Sequence, residues 1–153
     1  VQPQRIESEA DPRLDKLAGK LDRVLVDAPC SGLGTLRRNP DLKFRQNEAG
    51  LAELTAKQAR ILAAAARLVK PGGVLVYGTC SPLDEENRQT VDAFLAAHPE
   101  FQLEPASAAL AKVCPDLPDD LADAETLQLS PETHGTDAFF GARMVRAAPQ
   151  TAT

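Results

Sequence analysis

RVLVDAPCSGLG, residues 23–34, opens with a β-branched apolar run, ends that run on an acid, and then sets a cysteine between a proline and a Ser-Gly pair. Arg23–Ala28 reads as a buried strand, because its apolar run is bounded by a charge and a proline. Pro29–Asn47 is polar and basic with Gly and Pro, so it reads as a loop, long enough to be functional or disordered. Glu48–Val69 then places Leu51, Leu54, Gln58, Ile61, Leu62, Ala65, Leu68 and Val69 at helical spacing, with Gln58 the one polar member. Asn47 can cap this helix, and Pro71-Gly72-Gly73 ends it and turns the chain. Val74–Tyr77 is a second short buried strand, and it too runs into a cysteine, in Gly78-Thr79-Cys80-Ser81. Strand, long helix, strand predicts an α/β protein with a mostly parallel sheet and flanking helices. In such sheets ligands bind beyond the carboxyl ends of the strands, where both Cys30 and Cys80 fall.

The remaining chain continues the alternation. Ser81 can cap a helix with Pro82 as its first residue, and Asp84–Glu86 then bring acid to the first turn, as the helix dipole favours. Val91, Phe94, Leu95 and His98 form the apolar stripe of that helix, which Pro99 stops. Phe101–Leu103 is a third strand, Ala106–Ala111 is helical, and Ala138–Val145 is the last strand. Pro115–Glu132 holds six acids and no basic residue, and reads as a solvated connecting loop. Val1–Gly19 carries a weak signal, and residues 147–153 read as a flexible tail.

Composition narrows the function. The chain has 153 residues, the size of one domain, and a formal net charge of −5, so it is not a globally basic nucleic-acid binder. No apolar run approaches the ~20 residues that span a bilayer, and no leader pattern opens the chain, so no membrane partner is expected. Three scattered cysteines without a CxxC pair, and two distant histidines, argue against a disulfide framework and a zinc site and for a reducing, cytoplasmic location. The chain begins at Val1 and its only methionine is Met144, which suggests a piece of a longer protein.

Each candidate group has a plain structural alternative. Cys80, between a strand and an expected helix start, suits a thiolate nucleophile; a small buried cysteine is the alternative. Cys30 shares that choice, and its place on a neighbouring strand end strengthens both. Asp27, at the end of an apolar strand, is costly to bury unless it accepts from loop amides or binds something. Gly32-Leu33-Gly34 matches a dinucleotide loop only in part, since Arg37 stands where the third glycine would fall, and a turn is the simpler reading. Thr35–Arg45 holds Arg37, Arg38, Lys43 and Arg45 against the single acid Asp41, which suits phosphates or an ordinary solvated loop. Cys114 has no assigned role, and His134 reads as a turn residue.

Three stretches together, DRVLVDAPCSGLGTLRRNPDLKFR, LVKPGGVLVYGTCSPLDEEN and LSPETHGTDAFFGARMVR, resemble the RNA cytosine-5 methyltransferases, most closely the bacterial 16S ribosomal RNA enzymes of the Sun/Fmu (RsmB) type. The resemblance covers Leu21–Arg146. It implies that residues 1–146 are the C-terminal portion of a Rossmann-like catalytic domain dependent on S-adenosylmethionine, strands four to seven of a seven-stranded sheet. The glycine-rich methyl-donor loop and an N-terminal RNA-binding domain would then lie upstream, leaving the first strand here with an uncovered edge. It implies Cys80 as nucleophile, Cys30 as the thiol assisting release, Asp27 at the cofactor and cytosine site, and Pro29, Arg37, Arg38, Lys43 and Arg45 toward an RNA partner. Two positions depart from the family pattern: Ala138 where Gly is usual, and Gly78 where Ala or Ser is frequent. The rival readings are a non-catalytic folded fragment with weak RNA affinity, a transfer RNA methyltransferase, and a thiol-redox protein.

Overall fold

The computed structural model describes residues 2–148, so most of the expected tail, 149–153, lies outside it. Helices α1 (Pro12–Asp15), α2 (Glu48–Ala66), α3 (Arg88–Ala97), α4 (Ala106–Leu110), α5 (Asp119–Ala122) and α6 (Pro131–His134) accompany strands β1 (Leu21–Asp27), β2 (Val69–Thr79), β3 (Phe101–Glu104), β4 (Leu127–Leu129) and β5 (Phe139–Arg146). The strands form one sheet in the order β1-β2-β5-β3, with β4 also paired to β5.

The α/β class holds, with a specific arrangement of strand directions. β1 and β2 are parallel, while β5 is antiparallel to β2, β3 and β4. Four strands therefore point one way and β5 alone runs back. Because β5 sits between β2 and β3, parallel pairing among the described residues is confined to β1–β2. The long helix makes that pairing possible, since a parallel neighbour needs a crossover between the two strands.

One face of the sheet is the core. Val26, Leu75, Tyr77, Phe101, Phe140, Ala142 and Met144 meet Leu62, Ala65 and Ala66 of α2 and Val91 and Phe94 of α3. Leu62, Leu75, Tyr77, Val91 and Met144 are wholly inaccessible. Burying aliphatic side chains of this size contributes about 1.5–3 kcal/mol each. The other face of β1 is bare: Leu25 is 71% exposed and Asp27 is exposed beside it. The strand expected to be buried is thus buried on one face, and its free edge is as the resemblance implies.

Three further differences have physical causes. Pro71-Gly72-Gly73 does not precede β2 but lies inside it: Leu21 pairs with Val69 and Arg23 with Val74, so the intervening residues bulge out, with Gly72 at φ +76°. A left-handed residue without a Cβ permits that bulge, and the proline needs no ladder donor there. The helix expected from Pro82 starts at Arg88, because Asn87 adopts φ −112°, ψ −101° and separates it from a 3-10 turn at Asp84–Glu86. The acidic stretch after Pro115 contains α5 and β4, drawn into order by buried Leu121 and by pairing to β5.

Candidate active site

β1 and β2 end side by side, with Asp27 opposite Gly78. Cys30 and Cys80 follow within three residues, and this shared register brings their sulfurs to 3.4 Å. Both are free thiols, half-buried. Burial pushes the Cys30 thiol up to about 12, and the neighbouring Cys80 sulfur adds to that shift. Cys30 is therefore a neutral thiol at physiological pH, able to offer its S–H toward Cys80. The helix start expected beside Cys80 is absent, as α3 begins at Arg88, so no dipole argument applies to that sulfur.

A buried carboxylate lies behind the pair. Glu86 is fully inaccessible and accepts from Ser31 N at 2.7 Å, Ser31 Oγ at 2.6 Å and Gln58 Nε2 at 3.0 Å. Gln58 Nε2 also donates to the Pro29 carbonyl at 2.9 Å, so both residues flanking Cys30 are held. With the Ser31 proton committed to Glu86, Ser81 Oγ is the donor across the 3.2 Å to Ser31 Oγ. The Tyr77 hydroxyl donates to the Glu86 carbonyl at 2.7 Å, and burial raises its phenol pKa. Removing the carboxylate would strand buried donors, each costing about 1–3 kcal/mol.

The Cys80 side has its own anchors. Thr79 Oγ1 donates to Asn87 Oδ1 at 2.5 Å, and Asn87 Nδ2 donates to the Ser81 carbonyl at 2.8 Å. Gly34 N donates to the Cys80 carbonyl at 2.9 Å, while the Gly34 carbonyl accepts from Ala138 N at 3.0 Å. A Cβ at Gly34 would overlap both the Ala138 and Cys80 carbonyl oxygens. Gly34 is thus a contact point for three loops, within a 3-10 turn at Leu33–Thr35 rather than a nucleotide-binding loop.

The other expected residues are placed as follows. Asp27 is exposed, and no hydrogen bond reaches its side chain among the described residues, so the argument from a costly buried acid does not hold. Pro29 is exposed on the surface beside Cys30. Arg37 and Arg38 both pair with Asp137, Arg37 at 3.5 Å, and Arg37 Nη1 also donates to the Gly135 carbonyl at 3.0 Å. Arg45 pairs with Asp41 at 2.7 Å, and Lys43 Nζ stands 4.8 Å from the Phe44 ring centroid. All four cations remain exposed. A cleft of about 770 Å³ lies beyond Ser81 and Pro82, bounded by Asp120, Glu125 and His134, and excludes both cysteines. His134 bonds Asp120 at 3.0 Å, consistent with a turn residue.

Glu86 is the site residue that the sequence reading misses, taking it for a first-turn acid. The available signal is Gln58, a lone amide on an apolar helix face, which requires a buried polar partner. Among the described residues no cluster of His, Cys, Asp or Glu could hold a metal ion, and no helix is long and apolar enough to cross a membrane.

Residues 4–145 match the family model described as 16S rRNA methyltransferase RsmB/F. Ribosomal RNA small subunit methyltransferase B of Sodalis glossinidius is 42% identical over 125 residues, covering 82% of this chain and 26% of that protein. The same-named protein of Yersinia pseudotuberculosis is 50% identical over 84 residues, 55% of this chain and 20% of that protein. The chain thus spans about a quarter of the length of such relatives. Among solved structures, PH0851 superposes with a TM-score of 0.79 at 38% identity, over 94% of this chain and 30% of that one. NSun6 from Pyrococcus horikoshii with SFG gives 0.72 at 27% identity, over 95% and 34%.

Proposed function

We propose, since the chain belongs to the RsmB/F family of 16S rRNA methyltransferases, that the protein carrying it methylates C5 of a cytosine in ribosomal RNA through a covalent adduct at Cys80. The observation that carries this reading is the 3.4 Å approach of two thiols delivered by separate loops at adjacent strand ends.

The chemistry needs both sulfurs. The Cys80 thiolate adds to C6 of the cytosine, and the displaced electron pair makes C5 nucleophilic. S-adenosylmethionine, when bound, supplies the methyl group on a sulfonium. The exposed Asp27 carboxylate, with no protein partner among the described residues, fits a role in holding that cofactor; NSun6, solved with the S-adenosylmethionine analogue SFG, supports the cofactor's identity. Release follows when C5 gives its proton to water, the electron pair restores the C5–C6 double bond, and the C6–S bond breaks to free the Cys80 thiolate. A neutral Cys30 beside it stabilises the departing sulfur by hydrogen bonding. Pro29 stiffens the loop at the base, and Arg37, Arg38, Lys43 and Arg45 offer an exposed cationic rim to RNA phosphates.

In the full-length protein, Cys80→Ala abolishes methylation and covalent capture of 16S rRNA, whereas Cys30→Ala captures RNA and stalls as a protein–RNA adduct. Denaturing gel shift and methyl-transfer assays measure both. Turnover by Cys80→Ala overturns the reading, and a parallel assay with transfer RNA decides the substrate class.

A further inference from the structure

We infer that Glu86 is a positioning residue for release: its buried carboxylate fixes the Cys30 loop against the Cys80 loop and thereby sets the gap between the two sulfurs. This inference rests on the proposed division of labour between the two cysteines.

Glu86 touches neither sulfur. Its carboxylate holds Ser31 through both the amide and the hydroxyl, and through Gln58 it reaches the carbonyl of Pro29. Cys30 lies between those two residues, so its backbone is fixed on both sides by one buried acid. Cys80 is held by different groups, the Gly34 amide and the Thr79–Asn87–Ser81 chain. Apart from the two sulfurs themselves, the side-chain link between the two systems is the Ser31–Ser81 hydroxyl contact. Disturbing Glu86 therefore acts first on Cys30, while Cys80 keeps its Thr79–Asn87–Ser81 anchor outside that loop, and attack and release are separable.

Glutamine at this position has nearly the same size but replaces one acceptor oxygen with a donor. With its oxygen kept toward the Ser31 and Gln58 N–H groups, its N–H faces Ser31 Oγ, whose proton must turn away toward Ser81; the charged anchor is lost and the Cys30 loop loosens. Misplacement of a reacting group by about 1 Å can cost about 10²-fold in rate.

The test uses the full-length protein with 16S rRNA and reads two quantities, the fraction captured covalently and the rate of product release. In Glu86→Gln, capture persists and turnover falls about 10²-fold, so adduct accumulates as in Cys30→Ala. A purely structural Glu86 would lower capture and turnover together; that result, or wild-type partition, overturns the inference. If Glu86→Gln does not fold, Ser31→Ala decides by the same partition: it removes one of the carboxylate's three bonds, so adduct accumulates to a smaller degree, and wild-type partition overturns the inference. Cys30→Ala serves as the reference. Failure of that variant to accumulate adduct defeats the proposed roles of the cysteines, whereas accumulation there without it in Glu86→Gln defeats only the role given to Glu86.

Discussion

The long loop after β1 has two halves that are held in opposite ways. Pro29–Gly34 is tied down from below by buried hydrogen bonds to Glu86, Gln58 and the Cys80 carbonyl. Leu36–Arg45 lies at the surface, where local 3-10 turns shape it and ion pairs of exposed Arg37 and Arg38 with Asp137 tie it to the rest of the fold. Buried bonds cost a great deal to break, while exposed ion pairs contribute about 0–1 kcal/mol and weaken with salt. The half bearing the thiol is therefore rigid, and the half proposed to meet RNA phosphates can rearrange around it.

The comparison breaks most completely at the joint between the halves. Gly34→Ala drives a Cβ into two backbone oxygens that cannot move aside independently. The expected cost is about 1–3 kcal/mol of overpacking, together with loss of activity, read by thermal denaturation and methyl transfer. An unchanged melting midpoint would show that the three loops are not locked at this point.

A smaller effect tests the rigid half by pH. The Cys30 pKa is raised from 9.0 to about 12 chiefly by burial. The fold thus favours the neutral thiol, a contribution fully present below the unfolded-state value and lost as pH climbs from 9.0 toward about 12. Alkylation of Cys30, followed by mass spectrometry, should keep accelerating through that alkaline window instead of levelling off near 9.0. Stability should decline there less steeply in Cys30→Ala.

The smallest effect belongs to the outer half. Replacing Arg37 and Arg38 by alanine leaves the melting midpoint nearly unchanged but lowers RNA affinity. It also reduces the slope of log affinity against log salt by about 1.4, two phosphates at ~0.7 each for a single strand. A binding titration at several salt concentrations measures it, and an unaltered slope would remove these arginines from the RNA contact.

Much of the site's outline is legible in local pattern. Two apolar runs leading to cysteines, separated by a helix, are enough to place Cys30 and Cys80 just beyond the ends of adjacent parallel strands. What escapes the pattern depends on long-range partners. Glu86 in SPLDEEN looks like a helix-start acid until Asn87 breaks the backbone and Ser31, 55 residues away, donates to it. Asp27 looks buried because Val24, Leu25 and Val26 are apolar, yet nothing described covers the outer face of β1. Pro71-Gly72-Gly73 looks like a stop, and becomes a bulge because β1 continues past it.

The reversed strand β5 has a consequence in time. β2 is complete at Thr79 and β3 at Glu104, yet the second edge of β2 and the first partner of β3 both come only with Phe139–Arg146. Until β5 is made, β2 is paired on one edge and β3 on neither, with Tyr77 and Phe101 still waiting for the strand that lies between them. β5 is therefore the keystone of the sheet. Any truncation that removes it opens edges on β2, β3 and β4 of the kind that drive aggregation, however intact the cysteine loops remain.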